Sequence, residues 1–155
     1  MTVELVPLSE GQFQDYLTDS IREYAEEHIK AGNWREEEAL EKAEQEFRQL
    51  LPNGVKTENH QLFSVTFQNE QIGILWIYIR QNTADKQAFI YDIKLDEQHR
   101  GKGLGKMTMA ALDQYALKTG IKKIALHVFA HNKTAIALYE KSGYITTDYH
   151  MAKTY

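Results

Sequence analysis

The spacing of hydrophobic positions changes character along this chain. Phe13, Leu17, Ile21, Tyr24 and His28 recur at steps of three and four, which is one face of a helix. Ser9, with Gln12 three residues on, reads as the capping box that starts it. Gly32 breaks it, and Asn33 with Glu36 opens a second helix. That helix carries the stripe Leu40, Ala43, Phe47 and Leu50, and Leu51-Pro52-Asn53-Gly54 closes it. Ahead of both, residues 2–8 form a short strand candidate.

The pattern then turns to strands. Residues 61–68 and 71–80 are rich in β-formers and are joined by Asn69-Glu70, a hairpin signal. Residues 88–95 (AFIYDIKL) make another strand. A helix over 104–118 follows, with Met107, Ala111 and Tyr115 on one face and Gly120 as its stop. Residues 123–129 (KIALHVF) read as a strand, and Asn132 caps a short helix that Gly143 ends. Residues 144–155 read as one last strand, or two. This order predicts an α/β (α+β mixed) fold: one domain with a mixed central sheet and helices on both faces. The 155 residues suit one domain, and a domain of that size buries roughly 70% of its unfolded surface.

Cysteine is absent, which excludes a disulfide framework, a zinc-thiolate site and a cysteine nucleophile, and fits a cytoplasmic setting. No apolar run approaches the ~18 residues of a membrane span, and the N-terminus has no basic stretch with an apolar core. Neither a membrane nor a nucleic acid is expected as partner. The net charge of −4 hides an asymmetry: residues 1–60 carry −8 and residues 61–155 carry +4. One part suits an anion, the other tolerates a cation. No metal site is expected, because His127 and His131 straddle a strand end with no acidic ligand close in sequence.

The positive charge gathers on a glycine-rich turn between a strand and a helix, Arg100-Gly101-Lys102-Gly103-Leu104-Gly105-Lys106. Three glycines in five residues let backbone N–H groups face one concavity, and the helix N-terminus adds free donors. Arg100, Lys102 and Lys106 add full charges, so the segment reads as a phosphate or pyrophosphate cradle. It is not the triphosphate loop, since Met107 follows Gly105-Lys106 and Arg100 stands where that loop needs its first glycine. It is not the dinucleotide fingerprint either, because Lys106 takes the place of the third glycine.

About 30 residues downstream lies Leu126-His127-Val128-Phe129, then Asn132, then a helix carrying Tyr139 and ending in Gly143-Tyr144. Together with Arg100-Gly101-Lys102-Gly103-Leu104-Gly105, this resembles the GNAT superfamily of N-acetyltransferases, most closely over residues 60–151. One departure precedes the turn: Glu97 stands where that family commonly has a proline.

The resemblance implies an enzyme that moves an acetyl group from acetyl-CoA to a primary amine by direct attack in a ternary complex. It implies two splayed parallel strands forming the cofactor cleft, here 88–95 and 123–129. Main-chain groups of Ile93, Lys94 and Leu95 would pair with the pantetheine arm. The amides of Arg100, Gly101, Lys102, Gly103, Leu104, Gly105 and Lys106 would hold the pyrophosphate, and Asn132 would touch the cofactor arm while capping its helix. Tyr139 matches the family's general acid, and a phenol of pKa ~10 suits a thiolate leaving group. His127 and Asp92 are rival general bases. Alternation turns His127 away from Leu126 and Val128, to the sheet face of Ala125 and Phe129. Residues 1–60 would wall the acceptor side and 61–155 would form the acetyl-CoA core. Glu23, Glu26, Glu27, Glu36, Glu37, Glu38 and Glu41 would draw a cationic acceptor, either a small molecule or a protein. Tyr24, His28, Trp34, Trp76 and Tyr78 are candidates for the pocket wall. A homodimer is compatible with the chain. The alternative function is a non-catalytic coenzyme A-binding regulatory or sensor module.

Overall fold

The computed structural model describes residues 2–81 and 84–155. Five strands make one sheet in chain order: β1 (Val3–Pro7), β2 (His60–Phe67), β3 (Glu70–Arg80), β4 (Gln87–Leu95) and β5 (Lys123–Leu126). The first three junctions are antiparallel and β4 runs parallel to β5. The helices are α1 (Glu10–Lys30), α2 (Glu36–Leu50), α3 (Leu104–Thr119) and α4 (Lys133–Lys141). The predicted single-domain mixed sheet is the one observed.

Each sheet face has its own core. On one, Val65, Leu75, Ile77 and Ile90 pack with Leu104, Met109 and Leu112 of α3, and Leu138 and Tyr139 of α4 join them. On the other, Leu62, Ile74 and Trp76 pack with Phe13 and Tyr16 of α1 and Phe47 of α2. Fully burying such side chains contributes roughly 1.5–3 kcal/mol each, so the sheet is fixed from both sides.

The helix pair differs from the sequence reading in detail. Ser9 and Gln12 do form the capping box of α1. Its buried residues, however, are Phe13, Tyr16, Ser20 and Ala25. The start of α2 falls at Glu36, where the Glu38 carboxylate accepts the Arg35 N–H at 3.2 Å. Asn33 instead turns its side chain to His28 Nδ1, 3.0 Å away. The α2 stripe is also rotated: Ala39, Ala43 and Phe47 are buried while Leu40 is 58% exposed. Ala25, Ala39 and Ala43 form a small cluster that lets the helices approach closely, and that contact leaves Leu40 outside.

Two bulges shape the sheet. Ile72 is the extra residue where Val65 pairs with Gly73 and Thr66 with Gln71. Tyr91 is the extra residue where Ile77 pairs with Ile90 and Trp76 with Asp92. A bulge lets neighbouring residues point the same way and re-aims the rest of the strand. Here Tyr91 stacks on Trp76 at 4.8 Å between ring centroids, and Asp92 meets Tyr16 of α1, so both face the α1 side. Strict alternation would have turned Asp92 to the α3 side with Ile90.

Two strand expectations are overturned. β5 stops at Leu126, three residues short of 129, because its last pair with β4 is Ile90 with Leu126. Residues 144–155 carry no strand, and among the described residues none pairs with them.

Candidate active site

β4 and β5 run parallel from Gln87 with Lys123 to Ile90 with Leu126, then part. β4 continues to Leu95 along β3 only. The strands separate where the Tyr91 bulge begins, and the gap that opens holds about 140 Å³. Its β4 wall is Ile90, Tyr91, Asp92 and Ile93; its opposite wall is Leu126, His127, Val128 and Phe129; Asn132, Ala135 and Tyr139 close one end. A larger recess of about 280 Å³ between α1 and α2 shares no residue with this gap or with the glycine turn.

The three catalytic candidates, Asp92, His127 and Tyr139, therefore line one space, as do Ile93 and Asn132. Asp92 accepts a hydrogen bond from Tyr16 Oη at 2.6 Å. Burial pushes its carboxyl above the ordinary carboxylate range, against the opposing pull of Tyr16 and Lys94. Tyr16 is raised well above a normal phenol by burial and then by the Asp92 charge. Tyr139 is pushed up to about 12, by burial first and by the charge of Asp92 second. It stays protonated at neutral pH, facing the space that Asp92 also lines. His127 is exposed, its ring edge-on to Phe129 at 5.1 Å. Leu126 packs with the α3-side core, and the three residues after it line the gap outside any strand.

Asn132 caps α4 by accepting the Ala135 N–H at 3.2 Å. Lys94 and Leu95 lie farther along β4: Lys94 reaches Glu23 of α1 at 2.8 Å and Leu95 joins the α3-side core. The glycine turn follows a 3-10 turn, Glu97–His99, which forms with Glu97 in the place of the family's proline. Arg100 Nε donates to the Leu95 carbonyl at 3.1 Å and ties the turn to the end of β4. Gly101 and Gly103 take left-handed φ of 74° and 77°, which L side chains adopt only under strain. α3 begins at Gly103 with no capping side chain and no acidic residue in its first turn. Its first N–H groups and the exposed Arg100, Lys102 and Lys106 are thus offered to an anion. Free backbone donors, cationic side chains and an adjoining gap with an unpaired strand edge fit a ligand with a pyrophosphate and an extended arm.

Among the rim carboxylates, Glu23 and Glu27 reach beyond the helix pair. Glu23 pairs with Lys94, and Glu27 Oε2 lies 3.1 Å from His131 Nε2. Glu37 and Glu38 serve the solvated face of α2, pairing with Arg35 and Lys42. His28, stacked on Trp34 at 4.0 Å, also meets Phe129 edge-on at 6.2 Å, so this aromatic group borders the gap. Trp76 and Tyr78 stand behind the Tyr91 wall: Trp76 is core, stacking on Tyr91 and donating to His60 Nδ1 at 2.9 Å, and Tyr78 packs on His60 and Tyr91. Sequence reasoning missed Tyr16 and the His131–Glu27 contact. Tyr16 sits three residues after Phe13, within helical spacing, so the stripe itself held that signal. Among the described residues no three His, Asp or Glu side chains gather as metal ligands, and no helix is long and apolar enough to cross a membrane.

The comparisons with known proteins agree with this geometry. The acetyltransferase (GNAT) family profile matches residues 17–144. The chain is 46% identical over 154 residues to YycN of Bacillus subtilis (strain 168), an uncharacterized N-acetyltransferase, covering 99% of each. It is 40% identical to YdgE of the same organism, also an uncharacterized N-acetyltransferase, covering 99% of this chain and 98% of that one. The crystal structure of YycN superimposes with a TM-score of 0.96 at 44% identity, covering 99% of each chain. The protein therefore belongs to the GNAT family of acetyltransferases.

Proposed function

We propose that the protein is an acetyl-CoA-dependent N-acetyltransferase that acetylates a primary amine by direct attack in a ternary complex. The observation that carries this is one gap that opens where β4 and β5 part, lined by Asp92 and Tyr139, with a cationic helix N-terminus following the end of β4. Acetyl-CoA, when bound, supplies the thioester and a thiolate leaving group. The amides and cations of residues 100–106 hold its pyrophosphate, and the free edge of β4 past Ile90 receives its arm as an added strand.

Asp92 takes the proton that the attacking amine loses, directly or through one water. Its raised affinity for protons brings it nearer the working pH of a base. Tyr139 donates to the sulfur. A phenol at about 12 gives its proton reluctantly to an ordinary thiolate, but a thiolate formed in the same gap is desolvated too, which raises its own basicity. Asp92 sets a carboxyl group in the gap and feels the charge of Glu23 on α1, which favours a cationic amine, either a small molecule or a protein amino group.

Calorimetric titration with acetyl-CoA, against ATP and NADH as controls, tests the first step, and thiol release with a panel of amines tests the second. Selective binding followed by turnover is expected. Binding without turnover on any amine would favour a coenzyme A-binding regulatory module. Equal binding of ATP would overturn the cofactor assignment.

A further inference from the structure

The Asp92 carboxyl lines the gap and is held from outside it. Tyr16 Oη donates to Asp92 Oδ2 at 2.6 Å, within the short range of a charge-assisted O–H···O bond. The phenol is not itself a wall of the gap. Its ring belongs to the α1-side core with Phe13, Phe47, Leu62, Ile74 and Trp76, and only 5% of Tyr16 meets solvent. That packing locks the ring, and a locked ring fixes where its hydroxyl stands. An aspartate carboxyl otherwise turns broadly about its last torsion. Here one oxygen is fastened to α1, and Oδ1 does not share that bond.

Packing alone does not call for this pair. A phenylalanine at position 16 would fill the same core, and a buried phenol–carboxylate pair adds little stability over apolar groups of the same shape. The two groups meet because the Tyr91 bulge turns Asp92 toward α1, and helical spacing sets Tyr16 beside Phe13 on the buried face. The other charged groups that bear on Asp92 act at longer range. Lys94 of β4 favours the ionised carboxyl, Glu23 of α1 opposes it, and Tyr139 of α4 feels the Asp92 charge across the gap. Lys94 and Glu23 are bonded to each other, and His127 lines the gap on its opposite wall. Among the described residues, Tyr16 is the side chain hydrogen-bonded to the carboxyl.

We propose that Tyr16 is a positioning residue for proton removal: it holds Asp92 Oδ2 so that the carboxylate presents Oδ1 to the attacking amine, or to a water between them. This rests on the reading of Asp92 as the base. As the bond from nitrogen to the acetyl carbon forms, the amine proton passes to Oδ1. The carbon–sulfur bond breaks, and the sulfur takes the Tyr139 proton. Tyr16 keeps its own proton throughout, because burial and the neighbouring carboxylate both oppose its loss. Its hydrogen bond favours the ionised carboxyl, so without it Asp92 stays protonated to higher pH.

The test is the pH profile of thiol release from acetyl-CoA, with spermidine, tyramine and a lysyl peptide as probe amines. In Tyr16→Phe the acid limb of kcat/KM should move up by about 1 to 2 pH units, the worth of one hydrogen bond to a charged group. The displacement should be the same for every amine turned over, since it belongs to Asp92 and not to the acceptor. On the plateau kcat should fall about 10-fold, less than the roughly 10²-fold or more that a base itself contributes, with the Kd for acetyl-CoA unchanged. The carbon-13 signal of the Asp92 carboxyl, titrated without any amine, should move the same way. Replacement of Tyr16 by 3-fluorotyrosine, a stronger donor of nearly the same shape, should restore kcat and move the limb to lower pH. That replacement carries the test where Tyr16→Phe folds poorly. A limb and a carboxyl signal that stay in place in either variant overturn the proposal, as does a loss of kcat that 3-fluorotyrosine repeats. Asp92→Asn separates the two readings. It should remove the limb and most of the turnover, and adding Tyr16→Phe should then cost nothing more. If Asp92→Asn keeps the parental limb and turnover, the base and its positioning residue both fall. If Asp92→Asn loses them while Tyr16→Phe keeps the parental profile, the positioning role alone falls.

Discussion

The two halves of β4 show how one strand serves two purposes. From Gln87 to Ile90 it is bonded on both sides, to β3 and β5. From Tyr91 to Leu95 it keeps β3 and loses β5. The first half is structural: Ala88 and Ile90 are each 4% exposed. The second half carries the groups of the proposed site, with Asp92 lining the gap, Lys94 paired to α1 and the glycine turn tied to its end. One inserted residue separates them. The Tyr91 bulge turns Asp92 toward α1 at the point where β5 departs, so a local irregularity creates both the open edge and the acidic group beside it. A fully paired strand would have satisfied its backbone and left nothing to bind.

The sharpest break of this comparison lies across the gap from the open half. Tyr139→Phe should lower kcat about 10²-fold, the low end of acid–base catalysis and about 2.7 kcal/mol of barrier. The Kd for acetyl-CoA should hold. A variant with parental turnover would remove Tyr139 from the chemistry. Next comes the support of the open half. A Cβ on Gly73 would lie 2.2 Å from the Lys94 carbonyl, so Gly73→Ala must push β3 and β4 apart beside Leu95. A cost of about 1–3 kcal/mol is expected, with Tm down by about 2–4 °C per kcal/mol and weaker acetyl-CoA binding. Ile90→Val, in the paired half, should cost about 0.5–1.5 kcal/mol and leave binding unchanged. Equal binding losses from the two would erase the distinction between the halves.

Asp92 gives a pH signature. Burial raises its carboxyl in the folded protein, so the protonated form favours folding. That contribution is complete below the ordinary 3.8 and is lost as pH rises through the raised folded value. Asp92→Asn, which still accepts from Tyr16, should therefore be more stable than the parent at neutral pH. The gain should shrink to nothing on acidification, and turnover should be lower throughout. His127→Gln should keep turnover within a few-fold; the reverse pattern would make His127 the base.

How much of this the sequence foretold differs between the same two halves. The succession of the first five strands, the four helices and the glycine turn are local patterns: alternation, capping and glycine spacing each act over a few residues. They were legible in Ser9-Glu10-Gly11-Gln12 and in the run from Arg100 to Lys106. The bulge was not, because AFIYDIKL alternates no differently at Tyr91 than elsewhere, and only register against β3 reveals the extra residue. Tyr16 was hidden for the same reason, since its partner lies 76 residues away. The end of β5 at Leu126 was also a tertiary matter: His127-Val128-Phe129 has strand propensity and simply lacks a neighbour.

The smallest effect concerns the charges beyond the open half. Lys102 is exposed on the turn, where an exposed ion pair contributes roughly 0.2–1 kcal/mol. Lys102→Ala should weaken acetyl-CoA binding about 1.5- to 5-fold at low salt. The difference should fade as salt rises, because the Debye length shrinks to roughly 3 Å at 1 M. Lys94 lies on β4 itself but is held by Glu23 on the α1 side, so Lys94→Ala should spare cofactor affinity and change the KM for a cationic amine instead. If the two lysines behaved alike, the glycine turn and the α1 side of the gap would share one ligand. If they separate, the end of β4 divides the site between an anion and a cation, which accounts for the opposite charges of the chain's two parts.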